Sequence, residues 1–431
     1  MLTDNLGITK EGRLSFCGTD TAPLAEKYGT PLMLYDENMI RERMRLYRTC
    51  LKEYFGADSM PLLASKALSC KEIYRIAAEE GIGTDIVSPG ELYTAKSADF
   101  PLERAFFHGN NKTPADIAFA LDCGIGYFIT DNMTELREID RQAEARGITQ
   151  KILLRLTPGI DPHTHAKIST GKVDSKFGAA IETGQAEELL RAALSCRHVS
   201  VRGIHCHIGS QIFETSPYVD AALVMLRFLA RMKDKLGYTA KYLNLGGGFG
   251  VRYTEEDPMI DYRDNLKKLS EALHTYAAKM GMELPQILME PGRSIVADAG
   301  ITLYTAGNVK EIPGFRTYVS IDGGMSDNPR YSLYGSRYTI LNATHADREP
   351  DLTATIAGRL CESGDLIGEG IRIARPIPGD LIAVLVTGAY HYAMASNYNR
   401  VPRPAVVFLK DGTDRLVIRR ESYADLCRLD I

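Results

Sequence analysis

The chain has 431 residues, 45% of them hydrophobic and 25% charged, with 51 basic against 55 acidic side chains and a formal charge of −4. That length exceeds one ordinary core and points to two domains of a globular protein. The balanced charge gives no electrostatic reason to expect nucleic acid or an anionic membrane, no apolar run is long enough to span a bilayer, and the polar start Met1–Arg13 lacks a signal-peptide core. Eight cysteines, at 17, 50, 70, 123, 196, 206, 361 and 427, form no CxxC pair, so reduced thiols of a cytoplasmic protein are expected.

Between about residues 60 and 290, short apolar runs alternate with amphipathic stretches. The pattern predicts strands at Leu62–Lys66, Gly83–Val87, Ala105–His108, Gly126–Thr130, Lys151–Leu156, Val201–His207, Tyr242–Leu245 and Gln286–Glu290. Helices such as Cys70–Glu80, Ile139–Ala145, Ala186–Ala193, Tyr218–Lys235 and Tyr262–Met280 fall between them. Eight strands with intervening helices suit a (β/α)8 barrel. A doubly wound open sheet, the competing arrangement, would gather its ligand at one switch point instead of drawing on most strand ends. After Ile295 come short β-type runs at Ile301–Val309, Thr317–Ile321, Leu352–Ala357, Asp380–Val386, Ala405–Leu409 and Arg415–Ile418, which read as an antiparallel β domain. The barrel is expected over residues 30–294. Residues 1–29 are too short to fold alone and are expected to join 295–431 in the β domain.

In such a barrel the active site lies at the C-terminal strand ends. Those positions hold Lys66, Asp85 with Ser88, His108 with Asn110 and Asn111, His205 and His207, Gly246-Gly247-Gly248 and Glu290. Polar residues thus recur at the same end of strand after strand. Lys66 closes the apolar run Pro61-Leu62-Leu63-Ala64-Ser65. A lysine there pairs with a carboxylate, reaches for water, or is desolvated toward the neutral amine that forms Schiff bases. The three glycines either open backbone N–H groups to an anion or make a tight turn. With Val at 251 the run is not the dinucleotide fingerprint.

His205 and His207 flank Cys206 on a predicted strand and so share a face; this spacing can bind metal, stack on a flat ligand or fill a core. The other strand ends offer lysine, asparagine and glycine, poor zinc ligands, and no metal is expected. Glu290-Pro291-Gly292-Arg293 closes the last strand. A buried carboxylate can keep a pyridine nitrogen protonated, and the Arg293 fork can grip a carboxylate or phosphate, unless the two simply pair.

Taken in order, these segments resemble the fold-type III pyridoxal-phosphate decarboxylases, in particular the branch acting on diaminopimelate. The resemblance runs from about Pro31 to Asn399. In the first part it rests on Ala64-Ser65-Lys66-Ala67, Phe107-His108-Gly109-Asn110-Asn111-Lys112, and Arg155 through Gly178 with His163-Thr164-His165 and Ser175-Lys176-Phe177-Gly178. It continues through His205-Cys206-His207-Ile208-Gly209-Ser210-Gln211, the glycine run and Glu290–Arg293. In the second part it rests on Asp322-Gly323-Gly324-Met325, Leu333-Tyr334-Gly335, Cys361-Glu362-Ser363-Gly364-Asp365 and Gly388-Ala389-Tyr390.

The resemblance implies pyridoxal 5'-phosphate as cofactor, joined to Lys66 as a Schiff base, with His207 stacked on its ring and Glu290 facing the pyridine nitrogen. Ser210, Gly247, Gly248, Gly292, Tyr390 and the backbone around Arg293 would hold the phosphate. It also implies a homodimer with shared active sites, the Cys361–Asp365 loop reaching across and Cys361 favoured as proton donor over Lys66 or water. Arg293, Arg330, Tyr334 and Tyr390 would bind the substrate's distal head group, and Glu362 its ammonium. Related ornithine decarboxylases carry aspartate at that last position.

The implied reaction is decarboxylation of meso-2,6-diaminopimelate to L-lysine, the last step of lysine biosynthesis. Alternatives are a sister decarboxylase acting on another amino acid, such as a D-amino acid or carboxynorspermidine, a metal-dependent barrel hydrolase using His205 and His207, and a catalytically silent binder. The chain departs from the family pattern at Ser65 and Leu68, where valine and asparagine are usual. It departs again at Pro89, where glycine is usual, and at Asn328-Pro329-Arg330-Tyr331, where proline more often follows the arginine.

Overall fold

The computed structural model describes residues 2–160 and 174–431, so His163-Thr164-His165 lie outside the described residues. The chain forms two compact units: Glu42–Gly250 with Ile260–Gly292, and Met1–Arg41 with Val251–Met259 and Arg293–Ile431.

The first unit is a closed ring of parallel strands: β1 Met60–Ala64, β2 Gly83–Ile86, β3 Ala105–Phe107, β4 Tyr127–Thr130, β5 Gln150–Thr157, β6 Val199–His205, β7 Tyr242–Asn244 and β8 Gln286–Met289. It closes where Leu288 and Met289 of β8 pair with Met60 and Pro61 of β1. The helices between strands start where the sequence supplies caps. Ser88, Thr113, Asn132 and Asp261 each accept a backbone N–H from three residues on. Pro89 opens the helix Pro89–Lys96, where a fixed φ helps and a missing N–H costs nothing, which accounts for proline at that departure.

Side chains alternate along a strand, and Leu62, Phe106, Ile129, Leu153 and Leu288 meet in one apolar cluster. Two residues further along those strands come Ala64, His108, Asp131, Arg155 and Glu290, and the same step from Gly83, Gly203 and Tyr242 reaches Asp85, His205 and Asn244. The apolar layer is therefore followed by a buried polar one, broken only at Ala64. Gly203 must lack a side chain, because a Cβ there would lie 2.0 Å from the Tyr242 carbonyl oxygen.

In the second unit, Gly300–Ile312 pairs antiparallel with Leu32–Asp36, Arg316–Ile321 and Leu381–Val384. The expected antiparallel character holds for most neighbours. Ala405–Lys410, however, runs parallel to Leu32–Asp36, and Arg316–Ile321 parallel to Leu352–Ala357. These partners are far apart in sequence and have room for the long connection that a parallel pair needs.

If the barrel plug is packed as described, Leu153→Ala should cost about 2–5 kcal/mol in urea unfolding. Leu194→Ala, at a side chain 42% exposed, should cost under about 0.5 kcal/mol. Equal losses would contradict the packing.

Candidate active site

β1 ends at Ala64, and Lys66 lies in the single 3-10 turn Ser65–Ala67. Asp85 on the neighbouring strand causes the early stop. Its Oδ1 accepts the Ser65 N–H at 3.1 Å, and its carbonyl accepts the Ser65 hydroxyl at 2.8 Å. The Leu68 N–H then closes the turn on the Ser65 carbonyl at 3.1 Å. Lys66 is consequently exposed, so of the readings open to it the one of a lysine desolvated at a strand end does not hold.

Its ammonium sits in the field of two carboxylates. Burial and then the charge of Glu290 push Asp85 well up, with Lys66 pulling the other way. Burial also pushes Glu91 up, opposed by the Val87 N–H, Ser65 and Lys66. Ser65, unusual for the family, donates to Glu91 at 3.2 Å and so ties this carboxylate to the turn.

Glu290 ends the polar layer at 7% exposure. Asn244 Nδ2 donates to Oε1 at 2.7 Å, and His205 Nε2 is hydrogen-bonded to Oε2 at 3.3 Å. His108 Nε2 lies 3.0 Å from Oε1, an ion-pair distance without a hydrogen-bonding angle. Burial pushes His108 down to about 4 and also lowers His205, against the pull of Glu290. Burial opposes the charge of Glu290 too, but His108 and His205 outweigh it and hold the carboxyl well below its usual range.

β6 ends at His205, so His207 lies beyond it and the expected shared strand face does not form. The His207 ring is half-buried and driven well down in pKa, first by burial and then by the charges of Lys66 and Arg155. Among the described residues, the acidic and imidazole ligand atoms that gather within 4.8 Å of one another belong to His108, His205 and Glu290 and not to a His205–His207 pair.

The glycine run owes its composition to close backbone approach. A Cβ on Gly247 would lie 2.0 Å from the Glu290 carbonyl oxygen, and one on Gly248 2.3 Å from that of Gly209, next to half-buried Ser210. Gly246 and Gly248 also have φ of 70° and 109°. Gly292 is required in turn by Ala64, whose Cβ would be 2.7 Å from an added methyl. Buried Lys112 donates to the carbonyls of Gly109 and Ile129, each at 2.9 Å, and to Glu135 at 2.7 Å. It thereby pins the loop after His108 to β4 and the following helix.

The second unit builds a separate cluster. Arg293 and Arg330 are buried, and Tyr390 faces both guanidinium groups, at 4.8 Å and 5.2 Å from its ring centre. Arg293 also hydrogen-bonds the Tyr253 hydroxyl. Arg330 Nε donates to the Tyr338 hydroxyl at 3.0 Å and lies over the Tyr334 ring at 5.0 Å. Pro329 caps the one-turn helix Arg330–Tyr334, so its place before the arginine starts the turn that presents both residues. Tyr390 has φ of 65°, uncommon for an aromatic residue and frequent at functional sites. Tyr338 meets Tyr253 and His391 edge-on at 5.0 Å and 5.1 Å, and burial drives His391 down to about 3.

Cys361 and Glu362 lie on an exposed loop. It is fixed by the Cys361 N–H to Asn399 at 2.7 Å and by buried Asp365, which accepts the Met325 and Leu360 N–H groups at 2.6 Å and 2.7 Å. Sequence reasoning missed Asn244, Asp131, Tyr253, Tyr338 and His391. The first two were accessible by stepping two residues on from the apolar core positions. The tyrosines and His391 carried no local signal.

The barrel set fits pyridoxal phosphate: an exposed amine for its aldehyde, an ionised carboxylate for its ring nitrogen, a neutral imidazole face, and a loop without side chains for its phosphate. A family model described as "Pyridoxal-dependent decarboxylase, pyridoxal binding domain" matches residues 37–297. The diaminopimelate decarboxylase of Bacillus subtilis (strain 168) is 45% identical over 422 residues, 98% of this chain and 96% of that protein. That of Staphylococcus aureus (strain COL) is 44% identical over 418 residues, covering 97% of each. The solved diaminopimelate decarboxylase of M. jannaschii, in complex with L-lysine, matches with a TM-score of 0.91 at 36% identity, over 100% of this chain and 99% of that one. The Helicobacter pylori enzyme, also complexed with L-lysine, gives 0.86 at 31% identity over 95% and 99%.

Removing one partner of the buried Lys112–Glu135 pair should expose how much the loop after His108 depends on it. Glu135→Leu should lower stability by about 3–5 kcal/mol, and adding Lys112→Met should restore most of that loss. A double variant as unstable as the single one would contradict the pairing.

Proposed function

The chain belongs to the diaminopimelate decarboxylases, within the pyridoxal-dependent decarboxylases, and from that premise we propose that it converts meso-2,6-diaminopimelate to L-lysine and CO2, the last step of lysine biosynthesis. The observation that carries the reading is the Glu290 carboxylate, buried and ionised in the same barrel layer whose end presents Lys66.

When bound, pyridoxal 5'-phosphate supplies a protonated ring that accepts the electron pair left by the departing carboxylate. Lys66 would hold the cofactor covalently through its Nζ. Glu290 keeps the ring nitrogen protonated, and His207 offers a neutral face for stacking. Ser210, Gly247, Gly248, Gly292, Tyr390 and the backbone around Arg293 take the phosphate. Arg293, Arg330, Tyr334 and Tyr390 bind the carboxylate of the distal head group, and Glu362 its ammonium. Cys361 returns a proton to the carbon that lost CO2.

The assembly is a homodimer in which the loop from Cys361 to Asp365 serves the partner's site; the exposure of Cys361 and Glu362 supports this arrangement. The protein works in the cytoplasm on a small amino acid, without nucleic acid or membrane. No helix among the described residues is long and apolar enough to cross a bilayer.

The test is incubation of the full chain with cofactor and a panel of amino acids, following CO2 and product. Lysine from diaminopimelate alone is expected. Turnover of a D-amino acid or carboxynorspermidine in its place would move the chain to a sister activity. Lys66→Ala should abolish turnover and the cofactor's absorbance band. Glu362→Ala should raise KM for diaminopimelate about 10-fold or more, as expected on losing a charge-assisted hydrogen bond, without weakening cofactor binding. Equal loss of both would contradict its role.

A further inference from the structure

Glu290 is surrounded more completely than a single ring partner requires. A carboxylate offers about four acceptor positions, two on each oxygen. On Oε1, Asn244 Nδ2 takes one at 2.7 Å and His108 Nε2 crowds the other at 3.0 Å; on Oε2, His205 Nε2 takes one at 3.3 Å. The groups come from the ends of β3, β6, β7 and β8, and all four side chains are buried. The orientation of the Asn244 amide is fixed independently, because its Oδ1 accepts the Gly246 N–H at 2.8 Å and its NH2 must therefore face Glu290.

A divalent cation is the other ligand that His108, His205 and Glu290 could share. The amide argues against it, since Asn244 presents hydrogens and no lone pair to the oxygen a metal would need. The histidines also approach different oxygens of the carboxylate.

We infer that His108 and His205 are positioning residues which, with Asn244, hold Glu290 as an anion and leave one lone pair of Oε2 open to a ligand N–H. The inference rests on the cofactor reading above. It requires the His205 imidazole to be neutral and to carry its proton on Nε2, the nitrogen hydrogen-bonded to Oε2, while His108 packs its Nε2 against Oε1. Without the His205 and Asn244 donors the buried carboxylate would take up a proton of its own and stop serving as partner to a protonated ring.

The direct test is nitrogen NMR of the full chain labelled with 15N-histidine, without cofactor, between about pH 6 and 9, a window around the ordinary histidine value. His108→Gln and His205→Gln assign the two signals. His205 should appear as the Nε2–H tautomer and should not titrate in that window. The Nδ1–H tautomer at His205, or stoichiometric binding of Zn2+ alone that either variant abolishes, would overturn the inference.

A second arm compares His205→Gln, whose amide can still donate, with His205→Leu. The leucine variant should lose about 10- to 100-fold in kcat, the worth of a charge-assisted hydrogen bond, with cofactor affinity changed far less, and glutamine should restore most of the loss. Equal loss in both variants would also overturn it. A wild type that never develops the cofactor's absorbance would sink the cofactor reading, while the tautomers would still decide the clamp.

Discussion

One buried charge organises the barrel mouth. Taking a carboxylate such as Glu290 out of water costs several kcal/mol unless neighbouring groups replace the lost hydration. Here the replacements are side chains on adjacent strands, and they meet only because the register is right. His205 pairs with Asn244 across β6 and β7, and Asn244 with Leu288 across β7 and β8. Glu290 lies two residues past Leu288. A slip of one residue in any of these strands would turn a donor outward and an apolar side chain in. The apolar layer of Leu62, Phe106, Ile129, Leu153 and Leu288 therefore does more than stabilise the fold: it sets the phase that delivers the polar layer above it.

The same phase explains how far the sequence could be read. Alternation and length located all eight barrel strands within a few residues, and stepping along them brought His108, His205 and Glu290 into view. Strand ends were harder, because local hydrogen bonds decide them. The apolar run to Ser65 looks like strand, yet Asp85 captures the Ser65 N–H and hydroxyl and folds Lys66 into a turn. The amine that results is exposed, with the carboxylates of Asp85 and Glu91 nearby in place of an apolar wall. The His205-Cys206-His207 pattern failed for a similar reason, since the strand stops at the first histidine.

The second unit was legible in outline only. Short β runs revealed a β domain but not its two parallel pairings, Ala405–Lys410 on Leu32–Asp36 and Arg316–Ile321 on Leu352–Ala357, which join segments that are not neighbours in the chain. The arginines, Tyr334 and Tyr390 could be picked from motifs, whereas Tyr253 and Tyr338, whose hydroxyls hydrogen-bond the guanidinium groups, could not. Tyr253 and Tyr338 come from distant segments, and nothing local marks a tyrosine that will hold a guanidinium. A buried cation pinned by hydroxyls and ring faces keeps its charge available for an incoming carboxylate.

The central claim is that Lys66, in the turn positioned by Asp85, is the covalent anchor of a cofactor whose ring is governed by Glu290. It is tested most directly by reducing the full chain with borohydride in the presence of pyridoxal phosphate and mapping the modified peptide. One pyridoxyl group on Lys66, lost in Lys66→Arg, is the predicted result. Modification spread over surface lysines, or none at Lys66, would contradict the account.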